Sequence, residues 1–250
     1  MRAIILAGGK GTRLRPYTTT IPKPLVPVGD TAIMEIVIRQ LAHFGFDHVT
    51  VAVNHQAQLI RAYFEDGARW GVTMDYSLED KPLSTVGPLR LIDDLPDHFL
   101  VMNGDILTDL DYGALYQSHI ESGAIGTVAT YERDVKIDFG VLEYKGQGHR
   151  ICGFVEKPVE HFSVSMGIYV FSREILDLIP EGVPYGFDDL MLKLIADGQD
   201  VRAHPFCGYW LDIGRPDDYD RANKEYEMVL SRLLPSSAET RSVAVGDRDS

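Results

Sequence analysis

A glycine-rich segment followed by two cations lies near the beginning of the chain. Residues 6–14 have the sequence Leu-Ala-Gly-Gly-Lys-Gly-Thr-Arg-Leu, and Pro22-Lys23-Pro24 follows shortly afterwards. Glycines let backbone N–H groups approach an anion closely, and they permit the positive φ values that such a loop needs. Arg13 and Lys23 add the charged donors that phosphates require. The segment therefore predicts a site for a nucleoside triphosphate.

Two better-known phosphate loops fit these residues less well. The mononucleotide P-loop ends in Gly-Lys-Ser or Gly-Lys-Thr, whereas Gly11 follows Gly9-Lys10 here. The dinucleotide fingerprint requires a third glycine at the position of Leu14. A plain glycine-rich turn with chance basic neighbours is the remaining alternative. Arg13 and the rigid Pro22-Lys23-Pro24 make that alternative less favoured.

Two aspartates stand where predicted strands end. Asp105 follows the apolar residues 99–102, and Asp212 lies within residues 209–214. In open α/β sheets, ligands bind beyond the carboxyl ends of the strands. Mg²⁺ typically takes one or two protein carboxylates and fills its other positions with phosphate oxygens and water. The pair therefore predicts a magnesium site, the alternatives being a turn residue (Asp105) and a neighbour of a helix cap (Asp212).

A third charged motif, Glu156-Lys157-Pro158, follows another predicted strand. Lys157 is a candidate phosphate cation, and Glu156 can accept hydrogen bonds from hydroxyl groups. A solvated surface pair is the alternative for these two residues. Pro158 fixes the backbone at this point, which favours a functional role.

Bulk composition limits the possible classes of protein. The chain has 250 residues, of which 45% are hydrophobic, enough for the core of one large α/β domain. Because the formal net charge is -13 and no basic patch is present, we expect no nucleic acid partner. Cys152 and Cys207 suggest no disulfide framework, which favours the cytoplasm. We expect neither a signal peptide nor a membrane partner, since Met1 leads directly into a strand and no apolar run is long enough to span a bilayer.

The order of hydrophobic patterns predicts the fold. In the first half, strands at 3–7, 49–53, 72–76 and 99–102 alternate with helical patterns, which is typical of a parallel α/β sheet. One helix is expected after a cap at Asp30 and ends at Gly45, and another runs through 59–64. From Gly126, strands at 127–130, 140–144, 153–156 and 165–171 predict a mixed or antiparallel extension of the same sheet that binds substrate. Helices are predicted at 188–196 and 216–234, and a mobile tail at 235–250.

Taken together, these motifs resemble the sugar-1-phosphate nucleotidylyltransferases, also called nucleotide-sugar pyrophosphorylases. The similarity is greatest to the mannose-1-phosphate guanylyltransferase-like members. It is carried by residues 6–14 with Pro16, 22–25, 103–105, 154–158 and 210–214, which occur in the family's order and span nearly all of the chain. The resemblance implies an α/β, Rossmann-like, mixed but mostly parallel sheet flanked by helices, with an antiparallel sugar-binding extension. It further implies one domain over 1–234, with a nucleotide-binding part over about 1–125 and a sugar-binding part over about 126–215.

The resemblance also implies a reaction and its residues. A sugar-1-phosphate oxygen attacks the α-phosphorus of a nucleoside triphosphate and pyrophosphate leaves, with Mg²⁺ as the cofactor. The implied catalytic residues are Arg13, Lys23, Asp105 and Lys157, and the implied metal ligands are Asp105 and Asp212. The implied nucleotide-binding residues are Leu6, Ala7, Gly8, Gly9, Gly11, Thr12, Arg13, Glu79, Ser84, Gly87, Asn103 and Gly104. The implied sugar-phosphate-binding residues are Gly140, Glu156, Lys157, Ser165 and Gly167.

Two departures from the family pattern bear on the substrates. Within residues 79–89, Ser84 and Val86 replace a glycine and an alanine of the usual base-contacting stretch Leu-Gly-Thr-Ala-Gly. Glu79 lies at a position where the family often has a residue that faces the edge of the base. A carboxylate there favours guanine, because guanine presents two adjacent hydrogen-bond donors. The alternative is that the Glu79 side chain points to solvent. Ser165-Met166-Gly167 replaces the usual Asn-Ala-Gly. This change predicts an unusual sugar-1-phosphate, such as a heptose, a deoxysugar or a cyclitol phosphate, rather than glucose-1-phosphate.

The favoured hypothesis is thus a guanylyltransferase acting on a mannose-like sugar-1-phosphate. Thymidylyl-, uridylyl- or cytidylyltransferase activity on a sugar- or cyclitol-1-phosphate is the alternative within the same class. A non-catalytic nucleotide-sugar-binding regulatory subunit is a second alternative, although it would not need Arg13 or the metal aspartates. A dehydrogenase is disfavoured by Leu14. A homodimer is one assembly that we consider.

Overall fold

The computed structural model describes residues 1–54, 56–146 and 148–234. The strands within them are β1 (Arg2–Leu6), β2 (Pro27–Val28), β3 (Thr31–Ala32), β4 (His48–Val53), β5 (Thr73–Leu78), β6 (His98–Asn103), β7 (Ile106–Thr108), β8 (Gly126–Lys136), β9 (Gly140–Lys145), β10 (Arg150–Glu156), β11 (Val159–Ser172), β12 (Val201–Phe206) and β13 (Trp210–Asp212). The α-helices are α1 (Ile33–His43), α2 (Ala57–Phe64), α3 (Tyr112–Ser122), α4 (Phe187–Ala196) and α5 (Pro216–Leu233). The predicted tail at 235–250 lies outside the described residues.

Seven strands form the central sheet, in the order β12-β8-β11-β6-β1-β4-β5. Strands β5, β4, β1 and β6 are mutually parallel, and β8 and β12 are parallel to each other. Strand β11 is antiparallel to both of its neighbours, β6 and β8. The predicted mixed, mostly parallel α/β sheet is therefore confirmed.

Alternation along the strands builds a core on each face of the sheet. Ala3 and Ile5 pack in one buried cluster with residues of α1, α2 and α3, whereas Ile4, between them, packs in a second cluster with α4. This alternation arises because successive side chains of a strand point to opposite faces. A third cluster packs α5 against β13, the loop after β1 and α1, and it includes Leu14 and Ile213, which are both fully buried. The third cluster matters most for the site, because it fixes loops rather than sheet.

The predicted helix after Asp30 is present, but its predicted cap is wrong. Helix α1 begins at Ile33, directly after β3, and Asp30 lies in the turn between β2 and β3. There the Asp30 carboxylate accepts a hydrogen bond from the Thr31 hydroxyl at 2.9 Å. Asp30 is thus part of the short β2–β3 hairpin, and Ala32 occupies the N-cap position of α1. Gly45, with φ +82°, follows the end of α1 as predicted.

Sequence analysis missed α3 and β12. Helix α3 buries only Tyr112, Leu115 and His119, so its apolar periodicity is weak. Its caps were the available signal, since the Asp111 carboxylate accepts a hydrogen bond from the Ala114 N–H and Gly123 adopts φ +64°. Strand β12 is an edge strand with half-buried or exposed residues and therefore has no hydrophobic run.

The strands after Gly126 follow two different arrangements. Strands β8 and β11 extend the main sheet as predicted, pairing from Lys136 with Val159 to Gly126 with Phe171. Strands β9 and β10 instead pair with each other in a separate two-stranded sheet, so the prediction that they extend the main sheet is wrong. Most residues of β9 and β10 are exposed, including their apolar ones, whereas strands inside the main sheet bury their apolar side chains. The apolar residues of these two strands were therefore a misleading signal for the main sheet.

No helix in the described part of the chain has both the length and the apolar composition needed to cross a membrane.

A buried polar cluster joins α3 to the sheet at the end opposite the glycine-rich loop. His119 is fully buried; its Nδ1 lies 2.9 Å from Thr127 Oγ1, and its Nε2 lies 3.2 Å from His98 Nδ1 and 3.3 Å from Ser172 Oγ. Burial, and secondarily the neighbouring His98, lowers the pKa of His119 to about 4. The neutral imidazole is therefore the form that the folded protein accommodates.

We expect His119 to make folding stability depend on pH. Its pKa is lower in the folded protein than in the unfolded chain, so this contribution is complete above about pH 6.5 and is lost as pH falls toward 4. Between pH 7.5 and 5 the loss should be roughly 2 kcal/mol in the free energy of unfolding. Urea denaturation across this range measures it. His119→Gln should flatten the pH dependence, whereas His149→Gln, at an exposed position, should not; equal slopes in the two variants would contradict the assignment.

Candidate active site

The loop after β1 is held by short backbone contacts. The Ala7 N–H donates to the Ala52 carbonyl at 2.8 Å, which continues the β1–β4 pairing past the strand end. Gly11 has φ +59°, and the Thr18 hydroxyl donates to its carbonyl at 2.7 Å. A Cβ at Gly11 would lie 3.0 Å from Thr18 Cγ2, so both the conformation and the space favour glycine.

The end of β6 lies directly beside this loop. The Gly104 N–H donates to the Leu6 carbonyl at 3.0 Å, and a Cβ at Gly104 would meet Ile5 Cγ2 at 3.1 Å and the Leu6 oxygen at 3.2 Å. This close approach places Asp105 against the loop. The ammonium group of Lys23 forms an ion pair with Asp105 Oδ2, and both side chains are largely buried. Two segments more than 80 residues apart in sequence are thus joined by opposite charges.

Asp212 lies on the strand that faces Asp105. Strand β13 pairs with β7, and the Ile213 N–H donates to the Asp105 carbonyl at 3.1 Å. Burial, and next the negative charge of Asp105, raises the pKa of Asp212, while Lys23 and Arg13 act in the opposite direction. The two predicted metal ligands are therefore electrostatic neighbours.

The chemistry of this pair suits a hard divalent cation. Asp105 Oδ1 is buried and has no hydrogen-bond partner among the described residues, which is costly unless a cation or water meets it. No group of three or more His, Cys, Asp or Glu side chains in the described ranges could hold a metal by itself. Two carboxylates are nevertheless sufficient for an ion that takes its remaining oxygens from phosphates and water.

Three adjoining cavities surround these residues, and Arg13 lines all of them. The central cavity has a volume of about 200 Å³ and is lined by Leu6, Ala7, Gly9, Gly11, Thr12, Arg13, Lys23, Pro24, Gly104, Asp105 and Gly214. Most of the predicted nucleotide-binding loop is thus gathered at one cavity. A Cβ at Gly214 would lie 3.8 Å from Arg13 Cζ and 3.7 Å from Asp212 Oδ1, so the guanidinium and the carboxylate flank Gly214.

The second cavity, here called the Glu79 cavity, has a volume of about 390 Å³. Glu79 is only 7% exposed, which excludes the alternative that its side chain points to solvent. Its Oε2 accepts a hydrogen bond from the Leu83 N–H at 3.0 Å. Burial raises the pKa of Glu79, and the Leu83 hydrogen bond opposes that shift. A Cβ at Gly8 would lie 2.6 Å from Glu79 Oε1, so the absence of a side chain at Gly8 lets the carboxylate reach the cavity.

Two of the other predicted nucleotide-binding residues line the Glu79 cavity, and a third holds the segment next to it in place. Ser84 and Asn103 line the Glu79 cavity, together with Leu6, Gly8, Gly9 and Arg13. Gly87 does not line it; its N–H donates to the Tyr185 carbonyl at 3.1 Å, and a Cβ there would lie 3.2 Å from the Val183 oxygen. Gly87 therefore positions this segment against the chain before α4.

The predicted sugar-phosphate residues lie in two places. Gly140 pairs with Glu156 across β9 and β10, and Lys157 Nζ lies 4.0 Å from Glu156 Oε1 with both side chains more than half exposed. These three line none of the three cavities, so their roles stay predictions. Ser165 and Gly167 lie on β11, where the Gly167 N–H donates to Ser165 Oγ at 3.2 Å. A Cβ at Gly167 would lie 2.6 Å from Asn103 Nδ2, which places this part of β11 beside the nucleotide-binding residues.

The third cavity contains residues that sequence reasoning missed. This arginine cavity, of about 420 Å³, is lined by Arg13, Tyr131, Arg133, Trp210, Leu211, Asp212, Gly214, Arg215, Asp218 and Arg221. Besides Arg13, its arginines come from β8 (Arg133) and from the cap and first turns of α5 (Arg215 and Arg221), so no sequence spacing indicates that they converge. Asn54 of the Glu79 cavity was also missed, although it follows β4 as Asp105 follows β6, and the strand-end rule could have found it.

Residues 2–229 match the nucleotidyl transferase family, and the chain belongs to that family. It is 38% identical over 254 residues to the UTP–glucose-1-phosphate uridylyltransferase of Synechocystis sp., an alignment covering 94% of this chain and 64% of that protein. It is 35% identical over 252 residues to the mannose-1-phosphate guanylyltransferase catalytic subunit beta of Dictyostelium discoideum, covering 98% of this chain and 70% of that protein. The chain thus spans about two thirds of the length of these relatives.

A solved structure shares the fold. The putative glucose-1-phosphate thymidylyltransferase from Bacillus anthracis, determined in complex with a sucrose, superposes with a TM-score of 0.72. The match covers 90% of this chain and 94% of that chain at 24% identity. The predicted family and the predicted α/β architecture are therefore both confirmed.

We expect Gly167→Ala to destabilise the protein more than a conformationally matched glycine substitution. Gly167 has φ +75° and its Cβ would collide with Asn103 and Ile106, whereas Gly123 has φ +64° and open space. Positive φ should cost each variant about 1 kcal/mol, and overpacking should add roughly 1–3 kcal/mol to Gly167→Ala alone. Urea denaturation of Gly167→Ala and of the matched variant Gly123→Ala measures the difference in the free energy of unfolding. Equal losses of stability would show that the contact with Asn103 carries no constraint.

Proposed function

We propose that the chain is an enzyme that transfers a nucleotidyl group from a nucleoside triphosphate, with GTP favoured, to a sugar-1-phosphate. The products are a nucleoside diphosphate sugar and pyrophosphate. The observation that carries the proposal is the convergence of Arg13, Lys23, Asp105 and Asp212 around a cavity lined by the glycine-rich loop. The names of the relatives support it, since they include a uridylyltransferase and a guanylyltransferase of sugar phosphates. A non-catalytic binding subunit would not need this convergence.

In this reaction, an oxygen of the sugar phosphate forms a bond to the α-phosphorus, and the bond from that phosphorus to the pyrophosphate oxygen breaks. Asp105 and Asp212 would hold Mg²⁺, which supplies charge neutralisation for the phosphates when it is bound. Arg13 neutralises the charge that grows on the leaving pyrophosphate, and Lys23 binds phosphate oxygens from the same side. The chain's backbone N–H groups at Gly9 and Gly11 orient the triphosphate. Positioning and charge, rather than covalent catalysis by the protein, supply the rate.

Glu79 supports guanine as the preferred base. Its buried carboxylate presents acceptors to the cavity beside Gly8, and guanine offers two adjacent N–H donors on one edge. Glu79 would discriminate between guanine and other bases, because a buried acceptor that is left without a hydrogen-bond partner costs about 1–3 kcal/mol.

A uridylyltransferase is the second candidate, and one contact favours it. Glu79 Oε2 already accepts the Leu83 N–H, and Oε1 has no hydrogen-bond partner among the residues that the structure describes. Uracil presents a single ring N–H donor on this edge. The uridylyltransferase relative, at 38% identity, agrees with this alternative.

The proposal extends to the remaining roles inferred from sequence. Lys157, Glu156 and Gly140 would bind the sugar phosphate when the β9–β10 hairpin approaches the cavities. Cytoplasmic location is supported by two exposed free cysteines, Cys152 and Cys207. A homodimer is supported by exposed apolar side chains on the hairpin, among them Phe154 at 61% exposure.

We expect Arg13→Ala to lower kcat on the order of 10²-fold or more, because transition-state charge loses a preorganised cation. Pyrophosphate release with Mg²⁺, GTP and a panel of sugar-1-phosphates measures it. Lys10→Ala is the matched control, since Lys10 is a cation of the same loop that lies outside the three cavities outlined by the described residues. It should retain wild-type turnover, and thermal unfolding should be unchanged in both variants. Near-normal turnover in Arg13→Ala would remove this residue from the mechanism.

We expect wild-type protein to use GTP more efficiently than UTP, dTTP or CTP. Glu79→Gln replaces one carboxylate acceptor with an amide donor, so kcat/KM for GTP should fall roughly 10-fold while that for UTP changes less. Glu160→Gln is the matched control, because Glu160 is an exposed carboxylate on β11 that lines none of the three cavities, and its removal should leave both values unchanged. A preference of the wild-type protein for a pyrimidine nucleotide would end the guanine assignment and select the second candidate.

A further inference from the structure

The arginine cavity is an unusual concentration of positive charge in an acidic protein. The whole chain has a formal net charge of -13, yet Arg13, Arg133, Arg215 and Arg221 line this one cavity against only two aspartates. Convergence of guanidinium groups in a concave site focuses positive potential toward whatever enters. This concentration of positive charge suits an anionic ligand in addition to the triphosphate that we propose at the glycine-rich loop.

Two of the four arginines have no ion-pair partner among the described residues. Arg133 and Arg215 form no side-chain ion pair with any residue that the structure describes, and only Arg221 does, with Glu225 Oε1 at 2.8 Å. Asp218 Oδ2 instead accepts the backbone N–H of Arg215 at 2.9 Å, as part of the α5 cap. Two guanidinium groups are therefore available to pair with a ligand.

The arginine cavity adjoins the central cavity. Arg13 and Gly214 line both cavities, and Asp212 lines the arginine cavity beside Gly214. Part of the wall of the arginine cavity is aromatic, with the Tyr131 and Trp210 ring centroids 5.3 Å apart. The Trp210 indole N–H donates to the Met166 carbonyl at 3.2 Å, which fixes the ring in place. Aromatic side chains that line a cavity together with arginines suit a sugar ring that carries anionic groups.

We propose that the sugar-1-phosphate bears a second anionic group, a carboxylate or a phosphate remote from C1, which Arg133 and Arg215 bind. This inference rests on the proposed function. The C1 phosphate lies beside Gly214, where the central and arginine cavities adjoin, while Arg13 keeps its role at the leaving pyrophosphate. The sugar ring packs on Tyr131 and Trp210, and the second anion enters the arginine cavity. Guanidinium groups pair with carboxylate and phosphate oxygens through two parallel hydrogen bonds, so both anions share one recognition chemistry. The cavity of about 420 Å³ is in the size range of small-ligand sites.

The test compares matched acceptors that differ only in the second group. Mannose and glucose are each supplied as the 1-phosphate, as the 6-carboxylate (uronic acid) 1-phosphate and as the 1,6-bisphosphate, with Mg²⁺ and each nucleoside triphosphate. Pyrophosphate release gives kcat/KM, and calorimetry gives the dissociation constant for each compound. We expect at least a 10-fold preference, in kcat/KM and in affinity, for one anionic analogue over the corresponding simple sugar-1-phosphate. The better analogue identifies the second group as carboxylate or phosphate.

Variants show whether the arginine cavity causes the preference. Arg133→Gln should reduce the preference at least 10-fold, and it should bring the affinity for the anionic analogue close to that for the simple sugar-1-phosphate. Arg202→Gln is the matched control, because Arg202 is an exposed arginine on the adjacent strand β12 that pairs with Asp200 at 2.9 Å outside this cavity. It should retain the wild-type preference.

Each outcome decides the proposal. Equal use and equal binding of simple and anionic acceptors would overturn it, as would a preference that Arg133→Gln leaves intact. Absence of turnover with every acceptor would instead refute the proposed function for mannose- and glucose-derived acceptors. In that case the calorimetric preference and its dependence on Arg133 still support or overturn a second anion site.

Discussion

The ion pair between Lys23 and Asp105 is the contact on which the site depends. It joins the segment after the glycine-rich loop to the end of β6, and both side chains are largely buried. A buried carboxylate without its cation would be strongly unfavourable, so this pair fixes the two segments relative to each other. The close approach of Gly104 to Leu6 permits this geometry, because a Cβ at Gly104 would lie 3.1 Å from Ile5 Cγ2 and 3.2 Å from the Leu6 oxygen, and these neighbours would have to shift.

Asp212 adds a second negative charge next to this pair, and the protein accommodates it with cations rather than by distance. The pKa of Asp212 is raised by burial and by Asp105, while Lys23 and Arg13 act against the shift. The third hydrophobic cluster holds these charges together, since fully buried Leu14 follows Arg13 and fully buried Ile213 follows Asp212. Hydrophobic burial of the neighbouring residues thus keeps an electrostatically unfavourable arrangement in place.

Arg13 lines all three cavities, so the proposed reaction site and the two proposed recognition sites adjoin one another at this residue. In the proposed reaction the central cavity holds the groups for phosphate transfer. It shares Leu6, Gly9 and Asp105 with the Glu79 cavity, and Gly214 with the arginine cavity. Under the same proposal, Glu79 presents acceptors to the nucleotide and the arginines present donors to the sugar phosphate. The two substrates would then differ in hydrogen-bonding character while they share one reaction centre.

The sequence by itself determined the family, the order along the chain of β1, α1, β4, α2, β5 and β6, and most residues of the central cavity, because local glycines, charges and apolar runs carry that information. Local patterns misassigned Asp30 and missed α3, whose periodicity is weak because it buries few residues. Only the tertiary structure decided that β9 and β10 leave the main sheet, that Glu79 is buried, and that Arg133 of β8 lines the same cavity as Arg215 and Arg221, at and just after the start of α5. The physical reason is that these outcomes depend on contacts between distant segments, which packing of the cores brings together and no sequence spacing records.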